Sequence, residues 1–238
     1  MTPLLAVTKR EFLSLFRTPT GWLIIALYLM LAGAVFSLAS LRPGAPASLR
    51  DFFSISQWLL LFIAPAVSMR TIAEERRTGT IEPLLSAPVS EWQIVPGKAL
   101  AAWLFIAIML LPTLAYPALL RSLAPLDLAA SLVGYAGLLL LALLYVCVGV
   151  LCSACSTSQS SAFLATVASL VLLRLVTVQA AGFLPHPFDG ALYALSPELR
   201  LADFAKGVLD TSHLVYFAAV STFLLTLAVV TLEARRWR

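Results

Sequence analysis

The sequence predicts an all-α integral membrane protein with six transmembrane helices, and three observations carry that prediction. Of its 238 residues, 61% are hydrophobic and 12% charged, against roughly 25% charged in a soluble domain. So few charges cannot cover a water-soluble globule of this size, and disorder requires the opposite composition. Residues 22–41, 52–69, 99–120, 128–173 and 213–232 contain no Asp, Glu, Lys or Arg. The sixteen Lys and Arg residues, finally, are divided unequally between the two sets of intervening loops.

As one helix, 128–173 would be about 69 Å long, more than twice the ~30 Å hydrocarbon core. It must fold back, and its most polar run, Ser153 to Ser161, marks the turn. The expected spans therefore lie near 22–41, 52–69, 97–120, 128–151, 161–181 and 213–232, in one transmembrane domain over 1–238. A β-barrel needs strands of strict alternation, and runs such as Leu138 to Leu144 have none. Six spans put both termini on one side. That side collects Lys9, Arg10, Arg17, Arg70, Arg76, Arg77, Lys98, Arg235, Arg236 and Arg238, and the other side holds Arg42, Arg50, Arg121, Arg174, Arg200 and Lys206. Ten against six places the termini in the cytoplasm of a bacterial inner membrane. The net charge of +4 is anchoring charge, and there is no basic, aromatic-interleaved face for nucleic acid.

Gly21 to Leu41 is longer than a secretory h-region. Ahead of it, residues 4–17 read as an interfacial helix or as a simple basic anchor. Leu4, Leu5, Phe12, Leu15 and Phe16 share one side and Arg10, Glu11, Ser14 and Arg17 the other, with Pro19 as breaker. Cys147, Cys152 and Cys155 lack a second pair or a nearby His, so they read as small packing residues in a reducing compartment. His186 and His213 have no partner at ligand or triad spacing. The chain carries no phosphate loop, nucleophile elbow or His-Glu-x-x-His pair, so no catalytic residue, metal or bound cofactor is expected in it.

The loop after the second span, 69–90, is dense in charge. It reads as two short helical pieces: Glu74-Glu75-Arg76-Arg77 closed by Gly79, then a start at Thr80 with Glu82 in its first turn. Ser90-x-x-Gln93 reads as a capping box for the third span. On physical grounds alone, a solvated loop held by its own ion pairs is equally open.

The run Arg70…Ala73-Glu74-Glu75-Arg76…Gly79-Thr80-x-Glu82…Leu84-Leu85-x-x-Pro88-Val89…Gly97-Lys98 resembles the first cytoplasmic loop of ABC-2 type transporter permeases. The resemblance implies that Arg70, Glu74, Glu75, Arg76, Arg77, Gly79, Thr80 and Glu82 form the coupling segment that docks on a separate ABC ATPase. It implies two ATPase copies carrying ATP and Mg, a second permease subunit as homo- or heterodimer, and leaves a periplasmic partner open. The stretch Leu195-Ser196-Pro197-Glu198-Leu199…Phe204…Gly207…Leu214-Val215-Tyr216-Phe217, followed by Leu232-Glu233-x-Arg235-Arg236-Trp237, is similar to the gliding-motility-type branch. Physically, Ser196 is an N-cap with Pro197 at N1, and Gly207 closes a helix too short to span. Leu201, Phe204, Ala205 and Val208 are its apolar positions, and Phe183 to Asp210 reads as short outer helices. Asp210, Thr211 or Ser212 then caps the sixth span.

Arg174, thirteen residues into the fifth span, costs at least a few kcal/mol unless it is paired or wet. It is either a ligand for an anionic substrate in a pathway, with Gln179 a weaker candidate, or it snorkels or pairs with Asp189 or Glu198. The chain is thus expected to be the permease subunit of an ATP-driven exporter. The alternative is a scaffold that transmits force to a partner protein without moving a substrate. Reporters fused at the C-terminus and within 70–90 should both report cytoplasm, and one at Asp189 the outside. An outside signal from 70–90 would overturn the orientation.

Overall fold

The computed structural model describes residues 3–41, 48–77, 79, 90–123, 125–180, 182 and 188–236. The described residues form helices and the turns between them. An amphipathic helix α1 (Pro3–Arg17) leads into the first span α2 (Pro19–Ser40), and the second span is α3 (Arg50–Ser68). A short helix α4 (Ala73–Arg77) precedes the third span, made of α5 (Glu91–Leu110), a 3₁₀ turn (Leu111–Leu114) and α6 (Ala115–Leu123). The fourth span is α7 (Leu128–Cys155), and the fifth is α8 (Gln159–Arg174) continued by a π-helical turn (Leu175–Ala180). Two outer helices, α9 (Phe188–Ala194) and α10 (Pro197–Ala205), lead to the sixth span α11 (Thr211–Arg236). Six of these segments are long and apolar enough to cross a membrane, as the charge-free stretches predict.

Burial separates the spans into two groups. In the second, third and fourth, 61% of the most apolar window is buried, against 22% in the first, fifth and sixth. The former are the core, and the latter give most of their surface to their surroundings. An aromatic cluster joins the core to the first span: Phe36 stacks on Tyr116 with centroids 4.3 Å apart, and Phe52, Phe53 and Tyr135 surround them edge-on or tilted. Backbone groups freed by proline find partners here. The α-helical donor for the Thr113 carbonyl would be the N–H of residue 117, which is Pro117 and has none. The buried Tyr135 hydroxyl donates to that carbonyl instead, at 2.7 Å. Trp103 Nε1 likewise donates to the Leu139 carbonyl at 2.8 Å, tying the third span to the fourth.

Helix ends follow the predicted chemistry at Ser196 and Asp210, with two corrections elsewhere. The Asp127 carboxylate caps α7 at 2.9 Å from the Ala129 N–H. The Ser196 hydroxyl caps α10, and Pro197 is its first residue. Asp210 caps α11 through the Ser212 N–H at 2.8 Å. That bond holds the Asp210 carboxyl below the usual carboxylate range, so the cap is present at neutral pH and is lost only as pH falls through the lowered value. The predicted capping box at Ser90 is not formed; Ser90 starts α5 with extended backbone, and its side chain makes no capping bond. A capping box does form at Ser158 and Ser161, opening the fifth span. There serine replaces the longer Glu or Gln of the usual pattern. Val208 lies beyond α10, not on it, because Gly207 at φ +85° ends the helix and leaves Val208 exposed.

The outer helix α10 lies against the fourth span where Gly137 leaves room. A Cβ at Gly137 would sit 2.6 Å from Phe204 Cβ and 3.0 Å from Leu201 Cδ1, and both of those side chains are buried. Gly137→Ala should therefore overpack this contact and lower stability by about 1–3 kcal/mol, read as a reduced unfolding temperature in detergent. Wild-type stability would mean that α10 does not pack there.

Candidate coupling site

Helix α1 presents Leu4, Val7, Thr8, Glu11, Phe12, Leu15 and Phe16 to the bundle, at i, i+3 and i+4 spacing. Two features of the predicted face are corrected. Leu5 is exposed, and Glu11 lies on the packed side. The reason for the second is a cation below it. Lys98, on the first half of α5, is 1% exposed. Its Nζ lies 2.7 Å from Glu75 and 3.4 Å from Glu11, and it donates to the Thr71 carbonyl at 2.5 Å. Arg10 closes the cluster, 2.8 Å from Glu11 and 3.4 Å from Glu75. Two cations thus meet two carboxylates, and the buried Lys98 ammonium has its charge balanced.

The same helix α4 that supplies Glu75 is fastened to the end of the fourth span by reciprocal capping. The buried Ser153 hydroxyl accepts from the N–H groups of Ile72 and Ala73, at 3.2 and 3.0 Å, and donates to the Met69 carbonyl at 3.1 Å. It does for α4 what an N-cap side chain does locally. In return Arg76 donates to the Ala154 and Ser156 carbonyls, at 3.0 and 2.7 Å, which are among the orphan acceptors at the end of α7. Arg70 donates to Thr20 Oγ1 at 3.1 Å, joining the end of the second span to the start of the first. Gly79 adopts φ +72°, with its N–H 3.3 Å from the Arg76 carbonyl, as expected of a residue closing α4. Arg77 is exposed.

Of the residues predicted for this segment, Arg70, Glu74, Glu75, Arg76, Arg77 and Gly79 therefore surround one helix and its flanking turns. Thr80 and Glu82, and the second helical piece they were expected to start, lie outside the described residues. A cavity of about 810 Å³ opens between α1, α3, α4 and α5, with Arg70, Glu74, Glu75 and Lys98 on its wall. Sequence reasoning missed Glu11, Lys98 and Ser153 as working members of the site. Lys98 carries a signal in retrospect, being the only charge between Glu91 and Arg121. Ser153 carries none, because its role depends on a turn eighty residues away.

At the opposite end Arg174 has its counter-ion. Its guanidinium pairs with the carboxylate of Glu198, which is 7% exposed on α10, and lies 3.8 Å over the Trp58 ring. Glu198 was one of the two partners expected for it. Gln179 is exposed on the π-helical turn. Nearby, Arg200 Nη1 is 2.8 Å from His213 Nδ1 and its guanidinium lies over Tyr216, whose hydroxyl donates to the Leu195 carbonyl at 2.6 Å. The outer helices are thus bonded to the fifth and sixth spans. Of the cysteines, Cys147 is a buried free thiol as expected of a packing residue, whereas Cys155 is exposed.

Arg174→Leu leaves Glu198 buried without its cation and should cost about 3–5 kcal/mol. Arg174→Leu with Glu198→Leu should recover most of that loss. Thermal unfolding in detergent of both singles and the double checks this; additive losses would mean that the two charges do not depend on each other.

No protein of curated function matches the sequence. A family model described as ABC-2 family transporter protein matches residues 45–230, which takes in the second to fifth spans, most of the sixth, α4 and both outer helices. With six membrane-crossing helices and that match, the chain is a multi-pass membrane subunit of a transporter, and it belongs to the ABC-2 family.

Proposed function

We propose that this chain is the permease subunit of an ATP-driven exporter in the bacterial inner membrane, with both termini cytoplasmic and ATP hydrolysis performed by separate ATPase subunits. The observation that carries the reading is α4. It is a five-residue helix at the edge of the bundle, bonded on one side to the fourth span through Ser153 and Arg76 and on the other to Lys98. An isolated helix that short has no stability of its own in water. Its anchoring makes it a rigid handle through which a docked protein could move the spans. Two ATPase subunits with ATP and Mg, and a second permease subunit, homologous or identical, complete the proposed assembly. The resemblance of the C-terminal region to gliding-motility-type permeases adds no cargo to this reading.

One observation favours the second reading, a subunit that transmits force to a partner protein without moving a substrate. Arg174, for which a ligand of an anionic substrate is one of the two expected roles, is engaged by Glu198 and Trp58. The spans then offer a transported anion no free cation at that position. A lipid-like substrate fits the same observation.

Arg77, exposed at the end of α4, offers the cleanest test of docking because it lies outside the buried charge cluster. Arg77→Glu should weaken retention of the ATPase subunit on the tagged permease, since a like charge placed opposite a complementary contact costs several kcal/mol. The effect should shrink as salt is raised. Equal ATPase recovery for wild type and variant at low salt would remove Arg77 from the docking surface, and no ATPase recovered with the wild type would remove the proposed function itself.

A further inference from the structure

The connection between α1 and α4 is made of charge. Across the cavity beside them the two helices meet through Arg10, Glu11 and Glu75, and Lys98 lies beneath all three. Helix α1 is also inseparable from α5 by packing. Gly97 lets it approach so closely that a Cβ there would lie 3.2 Å from the Leu4 carbonyl oxygen, and the Thr8 hydroxyl donates to the Gly97 carbonyl at 3.1 Å. Each of Lys98's three partners belongs to a different element: Glu11 to α1, Glu75 to α4 and the Thr71 carbonyl to the turn after α3.

We propose that Lys98 is the positioning residue that makes α1, α4 and the base of α5 move as one body, so that a displacement of α4 is delivered to the third span and the interfacial helix together. The inference rests on the coupling role proposed above for α4. Its physical basis is the difference between the two anchors of that helix. Toward the fourth span α4 is held by the buried Ser153 hydroxyl and by Arg76 bonded to helix-end carbonyls, so every partner it finds there is a neutral group. Toward α5 it is held by an ammonium that is 1% exposed. Pulling Glu75 away from Lys98 strands a charge out of water, and the penalty for an uncompensated buried charge far exceeds that for a lost neutral hydrogen bond. Under load the Lys98 side therefore holds. Because Lys98 also binds Glu11, α1 follows. Arg10, bridging the same two carboxylates, keeps the cluster neutral as it moves.

The test uses the permease–ATPase complex in right-side-out membrane vesicles, loaded either with ATP or with ADP and vanadate. Val208→Cys places a thiol on the exposed outer segment after α10, where a membrane-impermeant maleimide reports nucleotide-dependent change; the native thiols of Cys152 and Cys155 lie at the other end of the fourth span. In this background Lys98→Met, similar in length and uncharged, should retain the ATPase subunit and lose the nucleotide-dependent change in labelling. Lys98→Arg keeps a cation within reach of both carboxylates and should preserve it. A Lys98→Met complex that responds like its parent overturns the proposal. Should Lys98→Met fail to insert, Arg10→Gln with Glu11→Gln removes both ion pairs of α1 with the cluster while leaving Lys98 its nearer partner, and it should reduce the response with the ATPase still bound; an unchanged response overturns the proposal equally. A parent complex that retains no ATPase subunit, or whose labelling does not respond to nucleotide, defeats the coupling reading and this inference together, whereas an unaffected Lys98→Met defeats only the inference.

Discussion

A charge withdrawn from water must be answered by an opposite charge close by, and both ends of this bundle are organised around one such demand. At one end Lys98 draws Glu11 from the interfacial helix and Glu75 from α4 onto the base of the third span. At the other Arg174 draws Glu198 from an outer helix onto the fifth span. In each case the partner comes from an element too short or too polar to cross a membrane. Ion pairing is therefore the means by which the non-spanning helices are fixed to the spanning ones. Hydrophobic packing could not do this alone, because the spans are apolar on faces that meet lipid as well as on those that meet protein.

Between these ends the bundle is built by close approach and by the disposal of backbone groups. Glycine on the fourth span admits Phe204 of the outer helix, and tyrosine or tryptophan donors meet carbonyls at the third and fourth spans. The Thr113 carbonyl, which Pro117 deprives of its helical donor, would cost several kcal/mol if left unpaired in hydrocarbon. The second, third and fourth spans consequently form a tied core, and the other three stand around it with most of their surface free for lipid or for another subunit.

This arrangement gives the transporter reading a mechanical outline. The fourth span is gripped at one end by α4, through Ser153 and Arg76, and at the other by α10, through Gly137 and its neighbours. A movement of α4 carried through Lys98 to the third span reaches the fourth through the Trp103–Leu139 bond, and the outer helix through the Gly137 contact. Substrate chemistry is not written into that route, since Arg174 is already engaged by Glu198 and buried polar groups such as Ser56, Thr113 and Thr166 carry no charge.

How much of this could be read from residues alone follows from the range of each interaction. The six spans, the interfacial helix, the outer helices and the caps at Ser196 and Asp210 depend on composition, periodicity and neighbours within four positions, and the amino-acid order determines them directly. The pairing of Arg174 narrowed to two acidic residues because a cation in hydrocarbon has few alternatives, and the fold selected Glu198. The coupling segment was recognisable as a charged motif, yet its internal logic was not. Periodicity puts Glu11 on the polar face beside Arg10, whereas Lys98 beneath that face draws its carboxylate inward. Ser153 read as part of a polar turn, whereas its hydroxyl caps a helix eighty residues earlier in the chain. Local order determined which residues carry charge and which segments enter the membrane; only the packing of α1, α4 and α7 around the base of α5 decided which of those charges face one another, because that depends on contacts between residues far apart in sequence.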